Sequence, residues 1–509
     1  MGYSRPIEPM KGSPSTTAVP PPPLPPGPCG RLPGGQFLPF RMDPLGYLTR
    51  IAREYGDHVA FRLGPERAIL VNHPESVREV LVVQDRKFMK GRGLERTKAL
   101  LGEGLLTSEG ELHRRQRRLV NPAFHHERIA AYGRVMADYA ERASGSWRDG
   151  QEMDLWAAMM RLTLAIVART LFDTDVEREA DAIGAALTTV MNKFPLLMMP
   201  FSDWILKLPV PPIRRLFAAR DRLDAVIYRM IEERRREGGG RGDLLSMLLA
   251  ARDEEESGAA GGDRSATGSG DGGDGGDGGD GGDGGDGGDT GGGGGKGVSG
   301  AGGGMTDRQV RDEVMTLFLA GHETTANALS WTWYLLATHP GVEARLHAEL
   351  DAVLAGRPPA PEDLPRLVFT ERVLSESLRL YPPAWVIGRR ALEDVEAGGY
   401  RIPRGALVLV SPYVVQRDAR WFPDPLRFDP DRWTDEARAA RPRFAYFPFG
   451  GGSRQCIGEG FAWMEGILLI AAIARRWSFR LASGAAVEPR ALVTLRPKRG
   501  MRAVAHRRA

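Results

Sequence analysis

The sequence predicts a mostly α-helical protein with a smaller β-rich region. Three observations carry this: apolar residues recur near every 3.6 positions through both halves of the chain, one helical pattern runs for roughly 30 residues, and Val, Ile and Leu runs of strand length occur in few places. The chain has 509 residues, but not all of them can join a core. Twenty-seven of its 64 glycines fall within 258–304, around the run DGGDGGDGGD. A segment of that composition cannot bury enough apolar surface to offset its ordering entropy. The opening 1–34, with VPPPPLPPGP, favours an extended spacer. One folded domain over 35–505 is therefore expected, with a flexible proline-rich leader at 1–34 and a disordered Gly/Asp-rich insertion at 253–304.

After the leader, HVAFRLGPERAILVNHP reads as two strands joined at Gly64-Pro65. Residues 75–90 look helical, Glu111–Phe124 gives a charged helix ended by Pro122, and 128–145 and 153–173 repeat the helical period. The apolar segment 187–213 is interrupted by prolines and Asp203, so it reads as the cover of an apolar pocket and not as a membrane span. DLLSMLLAARDEEE then leads into the insertion. Beyond it, a helix capped at Thr306 runs to His339, about 45–50 Å in length. Apolar on most sides, it has to cross the middle of the domain. Its soft spot is AGHETT, where Gly321 and two threonines weaken local propensity. Helices at 343–355 and 364–381 follow, then the strand-like YRIP and ALVLVSPYVV, an irregular stretch at 416–455, a last helix over 457–476 and the strand-rich PRALVTLRPKRGMRAVAH. Irregular backbone of that length is functional or held by specific contacts.

Charge and cysteine usage exclude several classes. The net charge of +4 combines −10 within 253–304 with +14 elsewhere. Nucleic acid, an anionic membrane surface or an acidic protein could each match that basic excess. Two cysteines, Cys29 and Cys456, exclude a disulfide scaffold and a structural CxxC zinc site. No N-terminal stretch has the apolar core of a secretion signal or the length of a span, which makes a cytoplasmic protein the default.

Cys456 is the sharpest chemical signal. It lies in FPFGGGSRQCIGEGF, after a tight loop of Gly450, Gly451 and Gly452, immediately before a helix and close to Arg454. A helix N-terminus and a neighbouring cation both stabilise a thiolate, although a buried inert cysteine beside a glycine loop fits the same residues. The segment Phe449–Gly458 resembles the haem-binding signature of the cytochrome P450 family at Phe449, Gly452, Arg454, Cys456 and Gly458. AGHETT, SESLRLYPP and FDPDRW resemble further family elements in the expected order. The likeness covers roughly 35–505 and is to bacterial, soluble haem-thiolate monooxygenases without a fused reductase.

This resemblance implies the P450 fold and haem b (iron protoporphyrin IX), with Cys456 as the iron ligand. Phe449 would pack beside the sulfur and Arg454 would reach a haem propionate. His113 and Arg117, spaced i,i+4 in HRRQRRLVNPAFH, and Arg389, chosen over Arg390, would be further haem contacts. Glu376, Arg379 and Arg432 would form a buried network pinning the segment that carries Cys456. On the distal side Thr324 would hold a water and Glu323 would relay protons, while His322 is not expected to be a ligand. Gln416 stands where relatives often have His.

The implied reaction inserts one oxygen atom from O2 into a lipophilic substrate. Electrons from NAD(P)H would arrive through a ferredoxin or flavodoxin-like donor with its own reductase, for which Arg114, Arg115 and Arg118 offer a dock. The resemblance implies a monomer with no nucleic acid partner and no transmembrane segment. Residues near 91–108 and 187–213, Phe318, Ala320, Pro383–Ile387 and Leu492–Thr494 would line an apolar pocket. A fatty acid is the first substrate expected. Terpenoid, steroid or polyketide oxidation is the alternative, and a non-catalytic haem ligand-binding protein is a third reading that Glu323 and Thr324 count against.

Overall fold

In a computed structural model, which describes residues 22–28, 34–176, 179–197, 204, 206–238, 241–250, 305–482 and 487–508, the chain is organised around the helix Asp307–Thr338. The insertion at 253–304 and most of the 1–34 leader, Cys29 included, lie outside the described residues. Thr306 caps the long helix reciprocally: its hydroxyl accepts the Gln309 N–H at 3.3 Å, and the Gln309 side chain accepts the Thr306 N–H at 2.8 Å. The helix has 32 residues and is about 48 Å long. It packs on the helices Leu155–Phe172, Pro211–Arg236, Val368–Leu380 and Glu459–Ala474. Leu155–Phe172 is long and apolar enough to cross a membrane, but it lies mostly buried between the long helix and the helices His126–Gly145, Ala180–Leu197 and Leu244–Ala250.

The β-rich region is a five-stranded sheet in the order His58–Leu63, Glu66–Val71, Leu407–Val410, Ile387–Ala391, Phe88–Lys90. The first two form the expected hairpin, turning at Gly64 with φ of +62°. Phe88–Lys90 departs from the helix expected over 75–90, because it pairs with Ile387–Ala391, a partner some 300 residues away. The end of ALVLVSPYVV also departs from a strand. Ser411 accepts the Val414 N–H at 3.3 Å and Pro412 opens a short helix, Pro412–Val415.

Residues 22–28 of the leader are tied to the five-stranded sheet at Ala60 and to the small hairpin Val395–Ala397/Tyr400–Ile402 at Arg401, and are not free. Prolines lack N–H groups but keep their carbonyls, and here Pro26 accepts from Ala60 and Pro23 from Arg401, each at 2.9 Å. Gly27 sits so close that a Cβ there would fall 1.8 Å from the Ala60 carbonyl oxygen.

The irregular stretch at 416–455 is held by side chains in place of a backbone ladder. Glu376 and Arg379 share one face of Val368–Leu380, and both are fully buried. Arg379 places all five of its N–H donors. Two go to the Glu376 carboxylate at 2.7 and 2.8 Å, and three go to the carbonyls of Gln416 at 2.8 Å, Pro425 at 2.7 Å and Arg427 at 3.1 Å. Glu376 also accepts the Asp429 N–H at 3.1 Å and the Trp433 indole at 3.0 Å, with the Arg432 guanidinium 3.3 Å away. Gln416 adds a second clasp. Its amide donates to the Leu378 and Arg379 carbonyls at 3.1 Å, and its oxygen accepts the Phe447 N–H at 3.1 Å.

Arg379→Lys keeps the charge but brings three donors where five are used, leaving two buried carbonyls unpaired. The expected loss is on the order of 2–4 kcal/mol, rising to about 3–5 kcal/mol for Arg379→Ala, which removes the bidentate partner of Glu376 and leaves Arg432 as its counter-charge. Urea denaturation followed by circular dichroism measures both; an unmoved midpoint in Arg379→Ala would contradict this account of the network.

Candidate active site

Glycines dictate the cysteine loop. Gly450 and Gly452 hold φ of +75° and +73°, which side chains disfavour, and a Cβ on Gly452 would fall 1.9 Å from the Leu81 carbonyl oxygen. The loop closes with the Cys456 N–H donating to the Phe449 carbonyl at 3.0 Å. The helix begins at Glu459, so Ile457 and Gly458 separate it from the cysteine that was expected at its edge. Cys456 is solvent-accessible, yet the surrounding protein desolvates its thiol and pushes it up to about 11, with the Gly458 N–H and Arg117 acting the other way. The Phe449 ring lies 5.7 Å from that of Trp463, between the loop and the following helix.

Buried cations gather beside this thiol. Lys90 and Arg389 face each other directly across paired strands and are both buried. Like charges so placed repel unless an anion joins them. His113, Arg117 and Arg454 belong to the same cluster. Glu109 is a carboxylate in its midst, accepting Arg454 at 2.8 Å and the Lys90 backbone N–H at 2.6 Å. Burial and the Arg454 charge push Arg389 down to about 10, and burial with Lys90 pushes His113 down to about 4.

Arg389 donates to the adjacent Gly388 carbonyl at 3.1 Å, and among the described residues no carboxylate pairs with it, whereas Arg390 reaches Glu95 at 3.3 Å. Arg117 donates to the Gln455 carbonyl at 2.8 Å, next to the cysteine. Arg454 commits its terminal nitrogens to Asp85 at 3.2 Å, Phe88 at 3.0 Å and Glu109, which leaves its buried Nε unpartnered. An accessible thiol beside Arg117, with a cluster of surplus cations next to it, fits a metal-bearing dianion, as haem is with its iron and two propionates.

The distal pair is not brought together. From Val310 to Trp333 the long helix is buried except at Ala320, Gly321 and Thr324, which share one face. There the Thr324 hydroxyl donates to the Ala320 carbonyl at 2.7 Å, so its oxygen remains free to accept. Glu323 lies on another face. It is 2% exposed, and its Oε1 accepts the Thr494 hydroxyl at 2.6 Å. Burial raises the Glu323 carboxyl, opposed by Thr494, Arg496 and Asn327. His322 is buried with Nδ1 2.5 Å from the Phe318 carbonyl, and burial pushes the ring down to about 4. Phe318, expected to line the pocket, packs on Phe172 with ring centroids 4.8 Å apart.

Sequence reasoning missed Lys90, Glu109 and the grip on 100–108. The Lys90 ammonium donates to the Leu105 and Ser108 carbonyls at 2.8 Å. Glu313 accepts the Leu105 N–H at 3.0 Å, and Asp312 accepts the Glu103 N–H at 2.8 Å. Arg311 donates to the Leu100 and Leu101 carbonyls at 3.3 and 3.1 Å and pairs with Asp224 of Pro211–Arg236. Three successive charges inside an apolar helix were a visible signal that they hold something.

Residues 21–264 and 296–501 match a family model described as cytochrome P450. The chain is 41% identical over 468 residues to cyclooctatin synthase of Streptomyces melanosporofaciens, covering 92% of each. It is 36% identical over 482 residues to pentalenene oxygenase of Streptomyces avermitilis, covering 93% of this chain and 96% of that one. Among solved structures it is similar to the cytochrome P450DA heme domain, with a TM-score of 0.78, 26% identity, and coverage of 96% and 99%.

Replacing the thiol should separate ligation from folding. Cys456→Ala is expected to fold but to lose the thiolate-type ferrous carbon monoxide band, and persistence of that band would sink the assignment.

Proposed function

The chain belongs to the cytochrome P450 family of haem monooxygenases, and on that premise we propose that it oxidises a terpenoid. The observation that carries this reading is the end-to-end likeness to cyclooctatin synthase and pentalenene oxygenase. The fatty acid first expected has less support, because its carboxylate needs a free cation as anchor. Among the described residues, Arg311 is engaged by Asp224 and Asp312, and Arg496 pairs with Asn192 near Glu323. An apolar hydrocarbon needs no such anchor.

Held by Cys456, haem supplies the activation of O2 and the transfer of one oxygen atom, the other leaving as water with two electrons and two protons. The chain's own residues do the rest. Arg117, Arg389, His113 and Arg454 would hold the propionates. The Thr324 oxygen accepts a hydrogen bond from a water on the bared face of the long helix, and the Glu323 carboxyl relays protons from solvent toward that face. The grip on 100–108 closes that side against bulk water. As a single cytoplasmic domain to which residues 22–28 are also bonded, the protein takes electrons from NAD(P)H through a ferredoxin or flavodoxin-like donor. Exposed Arg114 and Arg118 lie on the helix Gly110–Val120 that carries Arg117, and they give an acidic donor a basic face near the thiol.

Two outcomes test this. In a visible titration, polycyclic terpene hydrocarbons and alcohols should convert the haem from low to high spin while fatty acids of graded length do not; the reverse pattern would replace the substrate class. Thr324→Ala should keep haem and the spin shift yet lower product per NAD(P)H consumed by about tenfold or more, the remainder appearing as peroxide. Unchanged coupling would remove Thr324 from proton handling.

A further inference from the structure

Trp156, on the helix Leu155–Phe172, starts a hydrogen-bond chain whose direction is fixed as far as the Thr494 oxygen. An indole N–H donates and never accepts. Its 2.8 Å bond to the Asn327 oxygen therefore fixes that amide, with the nitrogen on the far side. The Asn327 nitrogen donates to the Thr494 oxygen at 3.1 Å, which leaves the Thr494 hydroxyl proton for Glu323 at 2.6 Å. Asn327 and Glu323 stand one turn apart on the long helix, and Thr494 lies between the paired strands Pro489–Ala491 and Leu495–Pro497. Glu323, Asn327 and Thr494 are all buried.

We propose that Trp156, Asn327 and Thr494 are positioning residues that fix the orientation of the Glu323 carboxyl and stabilise its ionised form relative to the neutral acid. The proposal rests on Glu323 as the proton-delivering acid. Every link presents a donor toward Glu323, and donors favour the charged acceptor over the neutral acid. Burial works against them, and Thr494 and Asn327 act to lower what burial raises. The charge facing Glu323 is Arg496, which has Arg490 near it and donates to Asn192 of Ala180–Leu197. Leu155–Phe172 contributes the neutral Trp156. Because the chain begins at an indole, with no proton to release near neutral pH, it clamps Glu323 and does not feed it.

Infrared difference spectroscopy of the holoenzyme reads this directly. The carbonyl stretch of a protonated buried acid is assigned to Glu323 by its loss in Glu323→Gln. Thr494→Val keeps the shape and drops the hydroxyl, so the band should appear at a pH higher by about one unit or more. Trp156→Phe should move it in the same direction by less, and Thr494→Ser should restore it. A band unmoved in Thr494→Val, with haem content and circular dichroism intact, overturns the proposal, as does Thr494→Ser behaving like Thr494→Val. Should Thr494→Val fail to fold, an unmoved band in Trp156→Phe overturns it as well. A moved band with product per NAD(P)H unchanged in Glu323→Gln upholds the positioning and overturns the catalytic role of Glu323.

Discussion

The fold of this site depends on one guanidinium. Between Gln416 and Cys456 the chain has no ladder to pair its peptide groups, and buried peptide groups left unpaired are costly. Arg379 meets that need from the side, using Glu376 to neutralise its charge and three carbonyls of the irregular segment to exhaust its donors. Gln416 continues the line to Phe447, and two residues on, the Phe449 carbonyl receives the cysteine N–H. The thiol is thus placed by a relay of specific polar contacts that starts on a rigid helix.

Electrostatics sets the second constraint. Lys90, Arg117, Arg389 and Arg454 bring more positive charge to one place than Glu109 answers. A bound dianion lowers that repulsion, so cofactor binding and stability are linked by mass action: the fold gains what the cofactor's affinity supplies. The same charges that recognise the group are strained without it, which ties haem loading to folding in this chain.

How much of this was legible in the sequence depended on the range of the interaction. The long helix was readable from its Thr306 and Gln309 cap, and the cysteine loop from glycines that no other residue could replace. Phe88–Lys90 was not, because its strand character comes from Ile387–Ala391. The 22–28 segment was misread because proline runs suggest a free spacer until a donor such as the Ala60 N–H meets their carbonyls. The separation of Glu323 from Thr324 was available from helical phase, since consecutive residues point about 100° apart. Thr494 and Trp156 were not, being brought to Glu323 by tertiary packing. Substrate class was the least legible, as an apolar wall suits a fatty acid and a terpene equally.

The grip of the long helix on 100–108 reaches further than closure. Arg311, Asp312, Glu313 and Lys90 hold the carbonyls and N–H groups of Leu100, Leu101, Glu103, Leu105 and Ser108, none of them a side chain. Anchoring of that kind is blind to residue identity. A substitution at Leu100, Leu101 or Leu105 therefore leaves the anchoring bonds in place and is felt in side-chain packing alone, where all three are buried.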